Sequence, residues 1–262
     1  MSNENIFAQL QAISTLSEET TIDSLRKQLG QIVELFKSRD SYLEEVTIFA
    51  EKVRNLEVKT LLDCDSFMVQ PSVLITEIPE ELQHDSLGFC KGSDIIFSGR
   101  YVYPVKDVRG NVMGFCGYDK FSDVKYLDSH NHGYSAKSYS CWGMEKLPEY
   151  YRNDKPVYFV EGIVCAAYLR QCGLQSLATL GSNVSPYVTE IIRRFGNRAI
   201  FVCDADEAGM KCRYALRKRI PTLRCVQSRI AKDVDDSREV DPDFVTELAK
   251  LSNPFYSSKL FI

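Results

Sequence analysis

The stretch Ala199-Ile-Phe-Val-Cys-Asp-Ala-Asp-Glu-Ala-Gly209 joins a short apolar run to three closely spaced acids. An apolar run of this length predicts a strand that is buried on both faces, with the acids in the loop where the strand ends. The basic segment from Ala208 to about Arg219 suits a helix. The stretch therefore predicts a strand, an acidic loop and a helix in succession.

The same alternation continues on both sides of this unit. Further strands are predicted at Val157–Val160, Ser176–Leu180 and Leu223–Arg229, and further helices at Ile163–Cys172 and Pro186–Phe195. Apolar strands that alternate with helices indicate a parallel sheet covered by helices on both faces. We expect an α/β fold for this part of the chain.

Acids follow three of these strands. They are Glu161 after the first, Asp204 and Asp206 after the third, and Asp233, Asp235 and Asp236 after the fourth. Ligands of open α/β sheets bind at the carboxyl ends of the strands, and carboxylates gathered there repel one another unless a cation neutralises them. Because Mg²⁺ prefers a few carboxylates together with water and phosphate oxygens, the pattern predicts a magnesium site that handles phosphates.

Upstream of the predicted sheet, the pattern of apolar residues is different. Residues 1–62 show two stretches of helical apolar spacing separated at Arg39-Asp40-Ser41, and Ser41 with Glu44 predicts a capping box. We expect an acidic helical hairpin that docks on the remainder or on another protein. Tyr101–Val105 and Val112–Cys116 predict a β-hairpin with Gly110 at its turn, and residues 119–143 are expected to form a loop.

Charge and composition narrow the class of protein. The net charge of the 262 residues is −4, but residues 1–94 hold 17 acids and 8 bases, whereas Lys211–Lys232 holds eight bases and no acid. That run fits phosphate binding or a solvated helix face equally well. No apolar run is long enough to span a membrane, and the N-terminus lacks a secretion signal. We expect a soluble, cytoplasmic protein, and nine cysteines without a Cys-x-x-Cys pair indicate free thiols.

Taken together, the motifs resemble a known family. Val160-Glu-Gly162, Ala178-Thr-Leu-Gly181, Asp204-Ala-Asp-Glu-Ala-Gly209 and Lys232-Asp-Val-Asp235 are similar, in this order, to the TOPRIM domain of DnaG-type primases. Phe97 to Gly117 and Lys125-Tyr-Leu-Asp-Ser129 resemble the primase segments that precede that domain. The resemblance covers residues 85–240 approximately.

The resemblance implies a division of the chain and a reaction. The segments would be an N-terminal helical region (1–66), a mixed α+β basic subdomain (67–154), a TOPRIM domain (155–245) and a C-terminal tail (246–262). The expected reaction is synthesis of short RNA primers from NTPs on single-stranded DNA, in a bacterium or a phage-infected cell. A replicative helicase or another replisome protein is the expected partner.

The resemblance also implies residue roles. Glu161, Asp204 and Asp206 would be catalytic and, with Asp233 and Asp235, would hold two Mg²⁺ or Mn²⁺ ions, with Glu161 as general base the alternative. Arg100, Lys125 and Lys137 would bind nucleotide or template. In place of two family residues, an acid and an arginine, this chain has Cys165 and Tyr118. The family's N-terminal zinc-binding domain has no counterpart, which favours a compact, phage-like version. A TOPRIM nuclease and a non-catalytic nucleic-acid-binding replisome protein are the alternatives.

Overall fold

The computed structural model describes residues 16–54, 56–131, 134–227, 231–240 and 243–251. Its helices are α1 Leu16–Lys37, α2 Tyr42–Ile48, α3 Val58–Leu62, α4 Ala136–Tyr139, α5 Leu147–Tyr151, α6 Ile163–Gln171, α7 Pro186–Phe195, α8 Glu207–Arg219, α9 Val234–Val240 and α10 Phe244–Lys250. Its strands are β1 Phe67–Val69, β2 Cys90–Lys91, β3 Asp94–Ile95, β4 Arg100–Lys106, β5 Val112–Tyr118, β6 Tyr126–Asp128, β7 His130–Asn131, β8 Tyr134–Ser135, β9 Val157–Val160, β10 Gln175–Ala178, β11 Ala199–Cys203 and β12 Arg224–Gln227. No helix among these residues is both long enough and apolar enough to cross a membrane.

The C-terminal half contains the predicted parallel sheet, in the order β10-β9-β11-β12. Successive residues of a strand point to opposite faces, and the strands are apolar on both. Tyr158, Val160, Ile200 and Val202 pack with α6, α9 and α10, whereas Val157, Phe159, Ala199 and Phe201 pack with α7 and α8. The predicted α/β fold, with helices on both faces, is confirmed.

The other main sheet is antiparallel, in the order β1-β4-β5-β6. Its centre is the predicted hairpin, with Gly110 at φ 85° in the turn, a conformation that glycine adopts at little cost. The segment predicted as a loop, residues 119–143, instead contributes the edge strand β6, the β7–β8 pair and the short helix α4. These strands lack a clear apolar–polar alternation in the sequence, because an edge strand needs few apolar residues.

The N-terminal helices form part of the core of this sheet. Leu29, Ile32, Val33 and Phe36 of α1 are at most 3% exposed and lie in one cluster with Phe67, Phe89 and Phe115. The hairpin therefore docks on the remainder of the chain. The predicted capping box at Ser41 is wrong, because the Ser41 backbone is helical and its side chain makes no capping hydrogen bond. After α2 the chain continues as a π-helix, Phe49–Arg54.

Contacts between residues far apart in sequence connect several parts of the described chain. Trp142 and Ala178 exchange backbone hydrogen bonds of 2.9 and 3.1 Å, which join the segment after α4 to the edge of the parallel sheet. At the other end, the Tyr158 hydroxyl donates to the Leu248 carbonyl oxygen at 2.9 Å. Helix α10 thus spans the predicted boundary at residues 245 and 246 and packs on the TOPRIM-like sheet. Residues 252–262 of the predicted tail lie outside the described part of the chain.

Asp65 ties α1 to the antiparallel sheet. Its carboxylate accepts hydrogen bonds from Lys37 of α1, at 2.5 Å, and from Lys106 of β4. Burial alone would raise the pKa of Asp65, but the two lysines more than offset it and the pKa is lowered. The ion pair therefore favours the folded state above the ordinary carboxylate pKa, and its contribution is lost as the pH falls through the lowered value.

We expect Asp65→Asn to lower the free energy of unfolding by about 1–3 kcal/mol, since Lys106, with a side chain only 15% exposed, loses its counter-ion. Asparagine tolerates the left-handed backbone at this position, where φ is 54°, so the change isolates the charge. Urea denaturation measures the effect, with Asp63→Asn, an exposed acid two residues away, as the control. Equal stability of the two variants would contradict this account.

Candidate active site

The predicted acids lie together at the carboxyl end of the parallel sheet. Glu161 follows β9 and Asp204 follows β11, and these two strands are hydrogen-bonded neighbours. The Asp204 backbone lies close enough to the Glu161 carboxyl to lower its pKa, against the larger effect of burial. Glu161 is 8% exposed, and its Oε1 is buried without a hydrogen-bond partner among the described residues. An acceptor atom in this state favours a cation as its neighbour.

Asp206 stands at the start of α8. Its Oδ1 accepts a hydrogen bond from the Gly209 N–H at 2.9 Å, which caps the helix, and its Oδ2 lies 3.6 Å from the Lys232 Nζ. The Lys232 carbonyl oxygen in turn accepts from the Ala205 N–H at 2.5 Å. The loop after β12 is thereby held against the loop after β11.

Asp233 belongs to the same group of charges, whereas Asp235 lies farther along the chain. Asp233 precedes α9 and its Oδ1 accepts from the Asp236 N–H at 2.8 Å. Its charge acts on both Glu161 and Asp204. Asp235 lies in the first turn of α9, with one buried carboxylate oxygen.

These acids disfavour one another's ionised forms. Burial is the largest cause that raises the pKa of Asp204 to about 8. Neighbouring carboxylates add to the shift, in the order Glu161, Asp233 and Asp206. Burial likewise raises the pKa of Glu161. A divalent cation would remove this repulsion, so the donor set fits such an ion.

The carboxylates are not arranged to hold an ion in their present side-chain conformations. Across the described ranges, no three His, Cys, Asp or Glu side chains are already arranged to hold a metal. Asp206 is the clearest reason, because one of its oxygens caps α8 and the other faces Lys232. Binding of an ion by Glu161, Asp204 and Asp206 together requires rotation of side chains.

A pocket of about 210 Å³ opens beside Glu161 and Asp204. Its opposite wall comes from the antiparallel sheet and includes Tyr126 and Asp128 of β6. Lys137 donates to Asp128 Oδ2 at 3.0 Å, which places a predicted nucleotide-binding lysine at the pocket. The acids of the parallel sheet therefore lie across the cavity from Asp128, and Lys137 of helix α4 reaches the cavity's edge through that ion pair.

The other predicted basic residues are placed differently. Lys125 is exposed, at the start of the strand that lines the pocket. Arg100 donates to the Val124 carbonyl oxygen at 2.9 Å and to the Ser122 hydroxyl at 3.0 Å. The Arg100 guanidinium thus holds the loop that precedes Lys125, and a contact of Arg100 with template stays a prediction.

Sequence reasoning assigned no role to Tyr126 and Asp128, although both line the pocket. Their spacing held the signal, because residues two apart on a strand point to the same face. The polar composition of residues 119–143 predicts a loop and hides the alternation of Tyr126 and Asp128. Lys232 belongs to a basic run and to the Lys232-Asp-Val-Asp235 motif, but neither pattern predicted that it pairs with Asp206.

Comparisons with known proteins find sequence similarity to DNA primases. No family model matches the chain. A DNA primase of Legionella pneumophila is 30% identical over 131 residues, which are 48% of this chain and 23% of that protein. A DNA primase of Borreliella burgdorferi is 25% identical over 213 residues, which are 79% of this chain and 40% of the relative.

Solved structures extend the likeness to most of the chain. A DnaG primase catalytic domain bound to single-stranded DNA gives a TM-score of 0.69 at 20% identity, over 87% of this chain and 78% of that one. The RNA polymerase domain of Mycobacterium tuberculosis DnaG gives 0.68 at 16% identity, over 87% and 83%.

The chain is related to DNA primases and has the fold of the DnaG catalytic core. It spans about a quarter of the length of several of its curated relatives, between 23% and 26%.

Both departures from the DnaG pattern are buried. Cys165 lies in the first turn of α6 and is 7% exposed. Tyr118 is 3% exposed and packs its ring against Phe49 and Tyr126, at centroid distances of 6.0 and 5.0 Å. Tyr118 thus supports the strand that lines the pocket, a packing role that an arginine would not fill.

Proposed function

We propose that this chain is the catalytic core of a DNA primase, which joins NTPs into short RNA primers on a single-stranded DNA template. One observation carries the proposal: the buried Glu161 and the half-buried Asp204 lie side by side at the carboxyl end of the parallel sheet and line a pocket whose opposite wall includes Asp128, the ion-pair partner of Lys137. Such a cavity combines a site for divalent cations with a basic group for phosphates.

In the proposed reaction, a 3′-hydroxyl attacks the α-phosphate of the incoming NTP and pyrophosphate leaves. Glu161, Asp204 and Asp206, with Asp233 and Asp235 nearby, would hold Mg²⁺ or Mn²⁺, two ions in all. Bound ions would neutralise charge on the reacting phosphate and lower the pKa of the attacking hydroxyl. Lys137 and Lys125 would orient the triphosphate or the template.

The partners follow from the same proposal. The similar DnaG catalytic domain whose structure has single-stranded DNA bound supports that template. A helicase or another replisome protein would bind the outer, acidic side of α1 and α2, because the apolar side of α1 is occupied by the core. Cytoplasmic location and a phage-like origin stay part of the proposal.

The test incubates the protein with single-stranded DNA, labelled NTPs and Mg²⁺ or Mn²⁺. We expect new oligoribonucleotides and released pyrophosphate, and we expect Asp204→Ala/Asp206→Ala to lower the rate by more than about 100-fold. Lys137→Ala should raise the KM for NTPs by about tenfold or more, the size of one lost charge-assisted hydrogen bond. Lys155→Ala, at the opposite end of the sheet, is the matched control.

Shortened template without new RNA would replace this proposal with a nuclease. Binding of DNA without either product would replace it with a non-catalytic role. Synthesis that survives the double aspartate substitution would show that another site performs the reaction.

A further inference from the structure

One exposed face of α8 carries basic and aromatic side chains in a stripe. Lys211, Tyr214 and Lys218 follow one another at helical spacing, and the Tyr214 side chain is 74% exposed. The opposite side of α8, with Cys212 and Leu216, is buried against the sheet. We call Lys211, Tyr214 and Lys218 the α8 stripe. All three side chains are exposed and lie outside the buried core.

The surroundings of the stripe are also basic. Arg193 and Arg194 of the neighbouring helix α7 share a single acid, Glu190. Arg193 donates to the Arg219 carbonyl oxygen at 3.2 Å, which fixes α7 beside α8. Within α8, Glu207 is the one acid, and it pairs with Lys211 at 2.6 Å. Bases thus outnumber acids over the surface of both helices, although the whole chain is acidic.

A groove leads to the stripe from the candidate active site. It has a volume of about 600 Å³ and lies between Ser182-Asn183 and the first half of α8. Asp206 and Glu207 line its start, Lys211 and Ala215 line it farther along the helix, and Lys211 is the stripe residue that the groove reaches. The small side chains of Ala208 and Ala215 leave room along the groove. An extended ligand can therefore follow it from the acidic cluster to the α8 stripe.

Charge and shape together select the ligand. Lysines spaced along a helix neutralise the phosphates of an extended strand, and an exposed tyrosine between them can stack an unpaired base. Bases of a duplex are already stacked on each other and leave Tyr214 without a partner. We propose that single-stranded nucleic acid binds in this groove and along the α8 stripe. The inference extends the proposed function by assigning a path to a strand that leaves the catalytic pocket.

The first test measures binding of a fluorescent single-stranded oligonucleotide of about 16 nucleotides to the full chain, in EDTA and without NTPs. We expect Lys211→Gln/Lys218→Gln to weaken binding by about tenfold at low salt and to reduce the salt slope of log K by about 1.4, the value for two phosphate contacts of a single strand. Arg152→Gln/Lys155→Gln is the matched control, because it removes the same charge from exposed residues at the other end of the sheet.

The second test separates stacking from charge. Tyr214→Ala should weaken binding by about tenfold with an unchanged salt slope, since a lost base stack releases no counter-ions. Its high exposure predicts an unchanged melting temperature, so a folding defect does not explain the loss. Absent binding by the wild-type chain, an unaffected Tyr214→Ala variant or equal losses in the two double variants would each overturn the inference.

Primer synthesis by the same proteins distinguishes the two proposals. Oligonucleotide binding through the α8 stripe without primer synthesis would leave the inference standing and remove the proposed function. Primer synthesis by a chain whose α8 variants bind normally would do the reverse.

Discussion

Asp204→Asn is expected to stabilise the metal-free protein at pH 8 and, in the same variant, to abolish primer synthesis. Burial and neighbouring acids raise the pKa of Asp204 to about 8 in the folded state, against an ordinary value of 3.8. The folded protein therefore resists an ionisation that the unfolded chain undergoes freely. An amide of the same shape removes this conflict.

The sign of the effect depends on pH. Below about pH 4 both states of the wild type hold the proton and Asp204 contributes nothing to stability. As the pH rises the unfolded chain ionises first, so wild-type stability falls up to about pH 8, whereas the variant is unaffected at this position. Since each pKa unit corresponds to about 1.4 kcal/mol, we expect a gain of about 2–5 kcal/mol for the variant at pH 8.

Thermal and urea unfolding in EDTA at pH 4, 6 and 8 measure this gap. Addition of Mg²⁺ should stabilise the wild type and leave the variant unchanged, because the cation binds the folded state through this carboxylate. Asp154→Asn, an exposed acid that precedes β9, is the control and should change neither stability nor synthesis. A variant less stable than the wild type at pH 8 would show that the Asp204 carboxylate is not destabilised by its surroundings.

Gly209→Ala is expected to disable the site by a steric route. A Cβ at position 209 would lie 2.1 Å from the Asp204 carbonyl oxygen and 2.9 Å from its carbonyl carbon. Backbone atoms cannot rotate away as a side chain can, so the loop after β11 must move relative to α8. We expect a loss of about 3 kcal/mol in the free energy of unfolding and of about 100-fold in primer synthesis, measured by urea denaturation and by the oligonucleotide assay.

Gly30→Ala provides the matched control for this substitution. Gly30 lies within α1, and a Cβ there would meet no atom within 4 Å. The same chemical change should therefore stabilise the protein by about 0.5–1 kcal/mol through helix propensity, with normal synthesis. If Gly209→Ala resembles Gly30→Ala, the close packing of α8 on the Asp204 backbone has no functional consequence.

The sequence allowed prediction of the parallel sheet because its strands are buried on both faces. Val157–Val160 and Ala199–Cys203 match the predicted bounds, and so does the helix Pro186–Phe195. The positions of Glu161 and Asp204 could be predicted as well, since parallel strands end at a common edge of the sheet. Local pattern was sufficient wherever the core is built from consecutive apolar residues.

Features set by distant contacts could not be predicted. The docking of α1 depends on Phe67, Phe89 and Phe115, which are 30 to 80 positions away in sequence. Asp206 was expected to face an ion, but its Oδ1 caps α8, a competing use of the same oxygen. The edge strand β6 is too polar for alternation to stand out, and its role in the pocket became visible only through its pairing with β5.

On the proposed function, the reciprocal hydrogen bonds between Trp142 and Ala178 would limit how the protein accommodates a growing helix of template and product. The Arg170 guanidinium of α6 lies 4.3 Å from the centre of the Trp142 indole ring and adds a second contact between the segment after α4 and the α/β part of the chain. Widening the gap between the acidic wall and the wall that includes β6 would break these contacts, so a hybrid that lengthens with each added nucleotide would have to leave along the gap. A gap of fixed width would also select ligands by their diameter.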